Sequence, residues 1–201
     1  MRISQFSGLK NLDLNNCANL KELEIWMTPI KKIDLKNCVN LKKINLTSNM
    51  QNVNGLGNCI KLEHIKIEGI EFQNLDIFKN CIDLKKIEIV GYSNQIQNLD
   101  GLNNCVNLKE INIRYCHELQ NLDGLINCMN LEEIFILQCN QLQNLDGLKN
   151  CVNLKIIKIF TVHKLQNLDG LKNCMNLEKV EIYCGSDPVS YTHLRAHETR
   201  G

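Results

Sequence analysis

Eleven cysteines in a chain of 201 residues are the side chains with the most chemistry to offer. Thiolates ligate zinc, pair as disulfides and act as nucleophiles. Eight of them follow an asparagine: Cys17, Cys38, Cys59, Cys81, Cys105, Cys128, Cys151 and Cys174. Their spacings are 21, 21, 22, 24, 23, 23 and 23 residues. Zinc sites draw ligands from close pairs such as CxxC, and no CxxC occurs. One cysteine per repeat, always at the same apolar phase, reads as a small buried hydrophobe. Equivalent positions on neighbouring coils fall within disulfide reach, about 4.4–6.8 Å between Cα atoms. The odd count and the regular burial favour free thiols in a reducing compartment.

The acid–base candidates fare no better. Glu22/Glu24 and Glu132/Glu133 read as exposed strand positions on a solvated face. His64 stands by itself, and His117 and His163 fall in turns without an ordering carboxylate or cysteine. His193 and His197 have the spacing of a helical zinc pair, but they sit in a segment foreign to the rest of the chain. Asn54-Gly55-Leu56-Gly57 is a turn without the remainder of a phosphate loop. Nucleophile elbow, HExxH and dinucleotide fingerprints do not occur. The residues therefore point to no catalysis, no metal and no cofactor.

The elements that position these residues repeat. Leu119 to Cys139 reads LQNLDGLINCMNLEEIFILQC. Apolar residues fall at Leu119, Leu122, Leu125, Cys128, Leu131, Ile134, Ile136 and Cys139. Steps of three turn a corner each time, and the step of two inside LEEIFI is a short strand. The strand motif LxxLxL begins at Leu20, Leu41, Leu62, Leu84, Leu108, Leu131, Leu154 and Leu177. Leu9, Leu12, Leu14 and Cys17 form a partial coil at the start. Four Asp-Gly pairs, from Asp100-Gly101 to Asp169-Gly170, suit corners in which Asp caps the next turn and Gly accepts a tight backbone. The Asn before each Cys is expected to bond local backbone left unpaired by the turn.

This pattern resembles the leucine-rich repeat, whose consensus is LxxLxLxxN/C. The first coils, such as LKELEIWMTPIKKIDLKNCVN with its second half at Ile30, Ile33 and Leu35, resemble the 21-residue bacterial and protist class. The QNLDGL coils at Gln97, Gln120, Gln143 and Gln166 resemble internalins and the leucine-rich regulator of protein phosphatase 1. The resemblance covers about residues 9 to 184. It implies an α/β leucine-rich-repeat solenoid, a right-handed horseshoe. A parallel sheet lines the concave face, and short 3₁₀ or extended segments form the convex side. Eight strands at ~4.8 Å give a sheet about 35–40 Å long.

Residues 1–187 are expected to be this domain and 188–201 a non-native, disordered tail. VSYTHLRAHETRG resembles the in-frame translation of a transposase sequencing adapter. Repeat arrays need polar end caps, so the natural chain is expected to continue past the junction. A net charge of +1 makes no case for nucleic acid or an anionic membrane. No run of 18 apolar residues spans a membrane, and the start lacks a secretory signal. Cytoplasmic location follows as the expectation.

Taking the third, fifth and seventh residue of each motif gives the concave surface. Its N-terminal two-thirds are charged and mixed in sign. Its last three coils carry Phe135, Leu137, Ile156, Phe160 and Tyr183, bordered by Arg114 and Lys158. Trp26 and Val90 are the other large apolar positions. Apolar patches with a charged rim mark partner sites, and aromatics are favoured anchors. The expectation is a non-enzymatic scaffold or regulatory subunit binding another protein. The patch packing against a missing C-terminal segment is the competing use, as is tucking of seventh-position residues into the strand end. The recognition arm of a larger enzyme or ligase adaptor, and a secreted adhesin of internalin type, are the functional alternatives.

Overall fold

The structure, a computed structural model, describes residues 1–47, 50, 52–70, 72–91 and 95–184. The adapter-like tail, its expected disorder, His193 and His197 lie outside the described residues.

Among the described residues eleven strands follow in chain order: β1 (Arg2–Ser4), β2 (Glu22–Trp26), β3 (Lys32–Asp34), β4 (Lys43–Thr47), β5 (Asn52–Asn54) and β6 (His64–Glu68). Then come β7 (Lys86–Val90), β8 (Glu110–Arg114), β9 (Glu133–Leu137), β10 (Ile156–Phe160) and β11 (Lys179–Tyr183). Nine pair in parallel in the order β1-β2-β4-β6-β7-β8-β9-β10-β11, and β3 with β5 makes a second, two-stranded sheet. That second sheet is the other half of the short N-terminal coils, where Ile33 pairs with Val53. The main sheet exceeds the expected eight strands by one. Arg2–Ser4 adds in front of β2, with Ile3 opposite Ile25. Three residues with one apolar side chain are too short to show an alternating pattern, so β1 leaves no signal in the sequence.

Each full motif places its strand on its third to seventh residues. The fourth and sixth point inward, so Ile134 and Ile136, Ile157 and Ile159 are buried. The corners are i→i−3 turns. Leu102 N–H donates to the Leu99 carbonyl at 2.8 Å, Cys105 to Leu102 at 2.9 Å, and Leu108 to Cys105 at 3.0 Å. A three-residue period puts i and i+3 on one side, which is why the apolar step there is three. Six such corners are 3₁₀ segments, four of them the Asp-Gly-Leu triplets.

Two local readings need correction. The Asp of QNLDGL caps nothing; the Asn two residues earlier does. Asn98 Oδ1 accepts from Asp100 N–H at 3.1 Å, and Asn144 Oδ1 from Asp146 N–H at 3.0 Å. These are Asx turns. The Gly is needed for crowding between coils, since a Cβ at Gly124 would run into the Leu99 carbonyl of the preceding coil. Gly55 and Gly69 are the glycines that use a left-handed backbone, at φ 72° and 70°.

The asparagine rows are likewise inter-coil. Asn104 Nδ2 donates to the Lys79 carbonyl at 3.2 Å, and Asn107 Nδ2 to Ile82 at 3.0 Å. Asn150 and Asn153 repeat this toward Ile126 and Met129. Each coil hands its spare donors to the previous one, because a corner turned every three residues leaves carbonyls pointing along the stack. Apolar burial and polar pairing therefore both run between neighbours, as in any one-dimensional array.

Candidate functional site

The cysteines are the first site to place. None of the eleven forms a disulfide, nine are buried, and Cys17 and Cys184 are half-buried. The thiols from Cys38 to Cys174 that follow an asparagine face carbonyls of the preceding coil, as Cys105 Sγ does toward Phe78 at 3.7 Å and Cys174 Sγ toward Leu148 at 3.5 Å, whereas Cys116 and Cys139 face Arg114 and Leu137 two residues back. Burial pushes the Cys59, Cys105, Cys128 and Cys151 thiols up to about 12 and those of Cys81 and Cys174 to about 11. Cys139 is raised by its contact with the Cys116 thiol on the neighbouring coil and by burial. Such thiols are poor nucleophiles at neutral pH. Among the described residues no group of three His, Cys, Asp or Glu side chains could hold a metal ion.

Glu24, Glu63 and Glu132 are engaged in pairing across coils. Glu24 was expected at the solvated surface, yet it is 8% exposed. Arg2 reaches it at 2.5 Å and Lys43 at 2.8 Å, and Arg2 comes from the strand that the sequence does not reveal. Those two cations hold the Glu24 carboxyl below its ordinary range, Lys43 most strongly. Glu63 bridges Lys42 and Lys85 at 2.7 and 2.6 Å, which brings its carboxyl down to about 2. Glu132 bridges Lys109 and Lys155 in the same way and is also lowered. These are stacking contacts rather than acid–base pairs. His64, His117 and His163 are exposed on the sheet or in turns.

The strand register assembles the sheet face row by row. Asn112, Phe135, Lys158 and Glu181 are consecutive partners in one row; Arg114, Leu137, Phe160 and Tyr183 are consecutive in the next. The Phe135 and Phe160 rings are 5.7 Å apart at 45°, and Phe160 stacks on Tyr183 at 5.3 Å and 11°. The Arg114 guanidinium sits 5.0 Å from the Phe135 centroid. Its Nε donates to Asn112 Oδ1 at 2.9 Å. Lys158 lies 3.8 Å from Glu181, and Ile156 is half-buried beside Glu133 and Lys179.

Two other expected members sit elsewhere. Val90 is only 6% exposed and offers almost no surface to a partner; it tucks into the strand end between Glu68 and Arg114. Trp26 is four strand steps from Arg114, about 19 Å at ~4.8 Å each. It lines a shallow depression of about 420 Å³ with Arg2, Glu24, Asn45 and Lys66. The Asn45 Oδ1 atom there is buried and has no hydrogen-bond partner among the described residues. Arg2, Glu24 and Lys66 are already ion-paired, the last to Glu88 at 3.0 Å.

A backbone device holds the seventh row in place. The residue after the strand is left-handed: Tyr115 at φ 59°, Gln138 at 54° and Thr161 at 56°. Gln138 N–H then donates to the Phe160 carbonyl at 2.9 Å and Thr161 N–H to Tyr183 at 2.8 Å. The ladder thus extends one residue past Leu137 and Phe160, and the seventh side chains do not fray. None of these residues is Gly or Asn, and Thr161 is β-branched, so residue preference gives no hint of it.

A second exposed row also escaped the sequence reading. The residue after each Asn-Cys is aliphatic or Met, and Val39, Ile60, Ile82, Val106, Met129, Val152 and Met175 are all exposed. The signal was present in NCVN, NCIK and NCMN, one position beyond the cysteine phase. The asparagine rows separate this line from the aromatic ladder.

These features match solved solenoids. The fold is that of a leucine-rich repeat. An internalin, inlF of Listeria monocytogenes, is similar with a TM-score of 0.61 at 15% identity, over 86% of this chain and 57% of that one. The chain thus spans little more than half the length of that internalin. A leucine-rich-repeat protein of Leptospira interrogans has a TM-score of 0.48 at 12% identity, over 91% and 66% of the two chains. Internalin C2 of Listeria monocytogenes has a TM-score of 0.46 at 13% identity, over 81% and 77%. No family model and no curated protein sequence matches the leucine-rich-repeat chain. At 15% identity the likeness to inlF speaks for the repeat architecture of the backbone, and the surface has to be read from this chain's own residues. Among the described residues no helix is long and apolar enough to cross a membrane.

Proposed function

We propose that this protein is a non-enzymatic protein-interaction module that seats another protein on the C-terminal part of its sheet face. The observation that carries this reading is the ladder Arg114–Phe135–Phe160–Tyr183, outward-facing on four adjacent strands. Tyr183 is 41% exposed. Stacked rings with a guanidinium at one end are large, rigid and cheap to immobilise, which is what binding anchors need. Leu137 and Ile156 widen the apolar floor, and Lys158 with Glu181 gives it a charged border. Eleven cysteines without a disulfide suit a reducing compartment, so the proposed setting is the cytoplasm.

The test is capture of partners by the wild-type chain and by the double variant Phe135→Ser, Phe160→Ser. Circular dichroism and a urea melt establish that the variant is folded. Loss of the captured partner supports the reading. Unchanged recovery by a folded variant rules it out.

A further inference from the structure

Arg114 differs from the other cations on the main sheet. Among the described residues, Arg2, Lys43, Lys66, Lys86, Lys158 and Lys179 each have a carboxylate of the same face within 3.8 Å. Arg114 has Asn112 and the Phe135 ring instead. The bond at Nε and the stacking fix the plane of the guanidinium. Its two terminal amino groups are then presented as a fork to an incoming anion.

The spacing of the patch narrows the shape of what brings that anion. The steps Arg114–Phe135, Phe135–Phe160 and Phe160–Tyr183 are 5.0, 5.7 and 5.3 Å. An α-helix repeats each turn at ~5.4 Å, so a helix laid across the strands stays in step with the ladder. An extended segment offers same-side residues every ~6.6 Å and loses step within two rungs. Charge selects among anions. Arginine clusters read phosphates, whereas this is one guanidinium with Glu133 on the neighbouring strand β9. A singly charged carboxylate fits a lone fork bidentately, and a dianion would meet like charge.

We infer that the occupant of the patch is an amphipathic helix of a partner protein, lying across β8 to β11 with an Asp or Glu over Arg114. Apolar side chains on the next turns rest on Phe135, Phe160 and Tyr183. In the partner this reads as an acidic residue at i and apolar residues near i+4, i+7 and i+11. The inference rests on the patch being the partner site.

The experiment is selection of 16-residue peptides from a randomised display library on the full chain, followed by affinity measurement on variants. The expected winners carry an acid followed by apolar residues at helical spacing. Their affinity falls about tenfold or more on Arg114→Gln, as loss of a bidentate charged contact demands. It vanishes on the folded Phe135→Ser, Phe160→Ser variant. Winners with apolar residues at i, i+2 and i+4, or a selection that enriches nothing, overturn the helix. Winners without an acid, or indifferent to Arg114→Gln, overturn the carboxylate. So does tighter binding when the acid is replaced by phosphoserine. Winners that bind the double variant as well as wild type overturn the proposed site itself, an outcome distinct from all the others.

Discussion

The two ends of the sheet face are built on one inner core and carry opposite outer chemistry. From β1 to β7 the outward groups neutralise one another across coils: Arg2 and Lys43 on Glu24, Lys66 on Glu88, Lys86 on Glu110. From β9 to β11 five of the nine outward groups are rings or aliphatics, and beside them on β8 stands Arg114, which lacks a carboxylate among the described residues. A charge already paired has little to gain from a partner, because binding must first strip it of water and of its neighbour. A stacked ring with one wet face has only water to lose. The difference teaches that repetition dictates the inner face, while the outer positions are free to differ from coil to coil.

The comparison makes its strongest demand on the shared core. Leu62→Ala in the ionic half and Leu131→Ala in the aromatic half remove equally buried side chains. Each should cost about 2–5 kcal/mol in a urea melt. A large difference between them would break the claim that both halves share one interior. Gly124→Ala comes next. Its Cβ meets the Leu99 carbonyl and Asp100 N of the neighbouring coil, and the shift required should cost about 1–3 kcal/mol. The same change at Gly8, which has nothing within 4 Å, should leave the melt unchanged.

Phe160→Ser separates surface from core. It breaks two ring contacts on a half-exposed residue and should cost about 1 kcal/mol of stability. Partner capture should fail all the same. A loss as large as that of Leu131→Ala would mean the ladder is core rather than site.

Glu63→Gln sharpens the ionic side. The folded carboxyl lies near 2 because Lys42 and Lys85 hydrogen-bond it, below its ordinary 4.5. A depressed acid stabilises the fold above its unfolded value and loses that contribution as pH falls through its folded value. Wild-type stability should therefore drop between about pH 4.5 and 2, and the variant should show a shallower drop. Equal slopes would mean the bridge is not held in solution. The smallest effect is expected on the outer aliphatic row. Ile82→Ser and Met175→Ser alter exposed side chains, 56% and 86% accessible, and should shift stability by no more than about 0.5 kcal/mol.

Much of this was legible before any coordinates. The threefold and twofold steps of LQNLDGLINCMNLEEIFI located eight strands of the main sheet, their inward rows and the corner turns. They could do so because one side-chain period corresponds to one backbone geometry. The same counting placed Phe135, Phe160 and Tyr183 outward and adjacent. It offered tucking into the strand end as an alternative but could not assign it to Val90, because burial at a strand end depends on the lengths of neighbouring side chains. Nor did it find β1, whose pairing comes from β2, or the left-handed residues at Tyr115, Gln138 and Thr161, which the extended ladder holds against their own preference.

The sequence by itself determined the repeat, the burial of its leucines and cysteines, and the absence of catalytic motifs, since these follow from periodicity and residue type. The partners of each polar group were decided only by the tertiary structure. Asparagines bond carbonyls one coil back, Glu24 finds Arg2 across 22 residues, and Arg114 is held by Asn112 and Phe135, with no carboxylate among the described residues. A hydrogen bond or ion pair needs two groups within about 3 Å, and only stacking brings groups a whole coil apart to that distance.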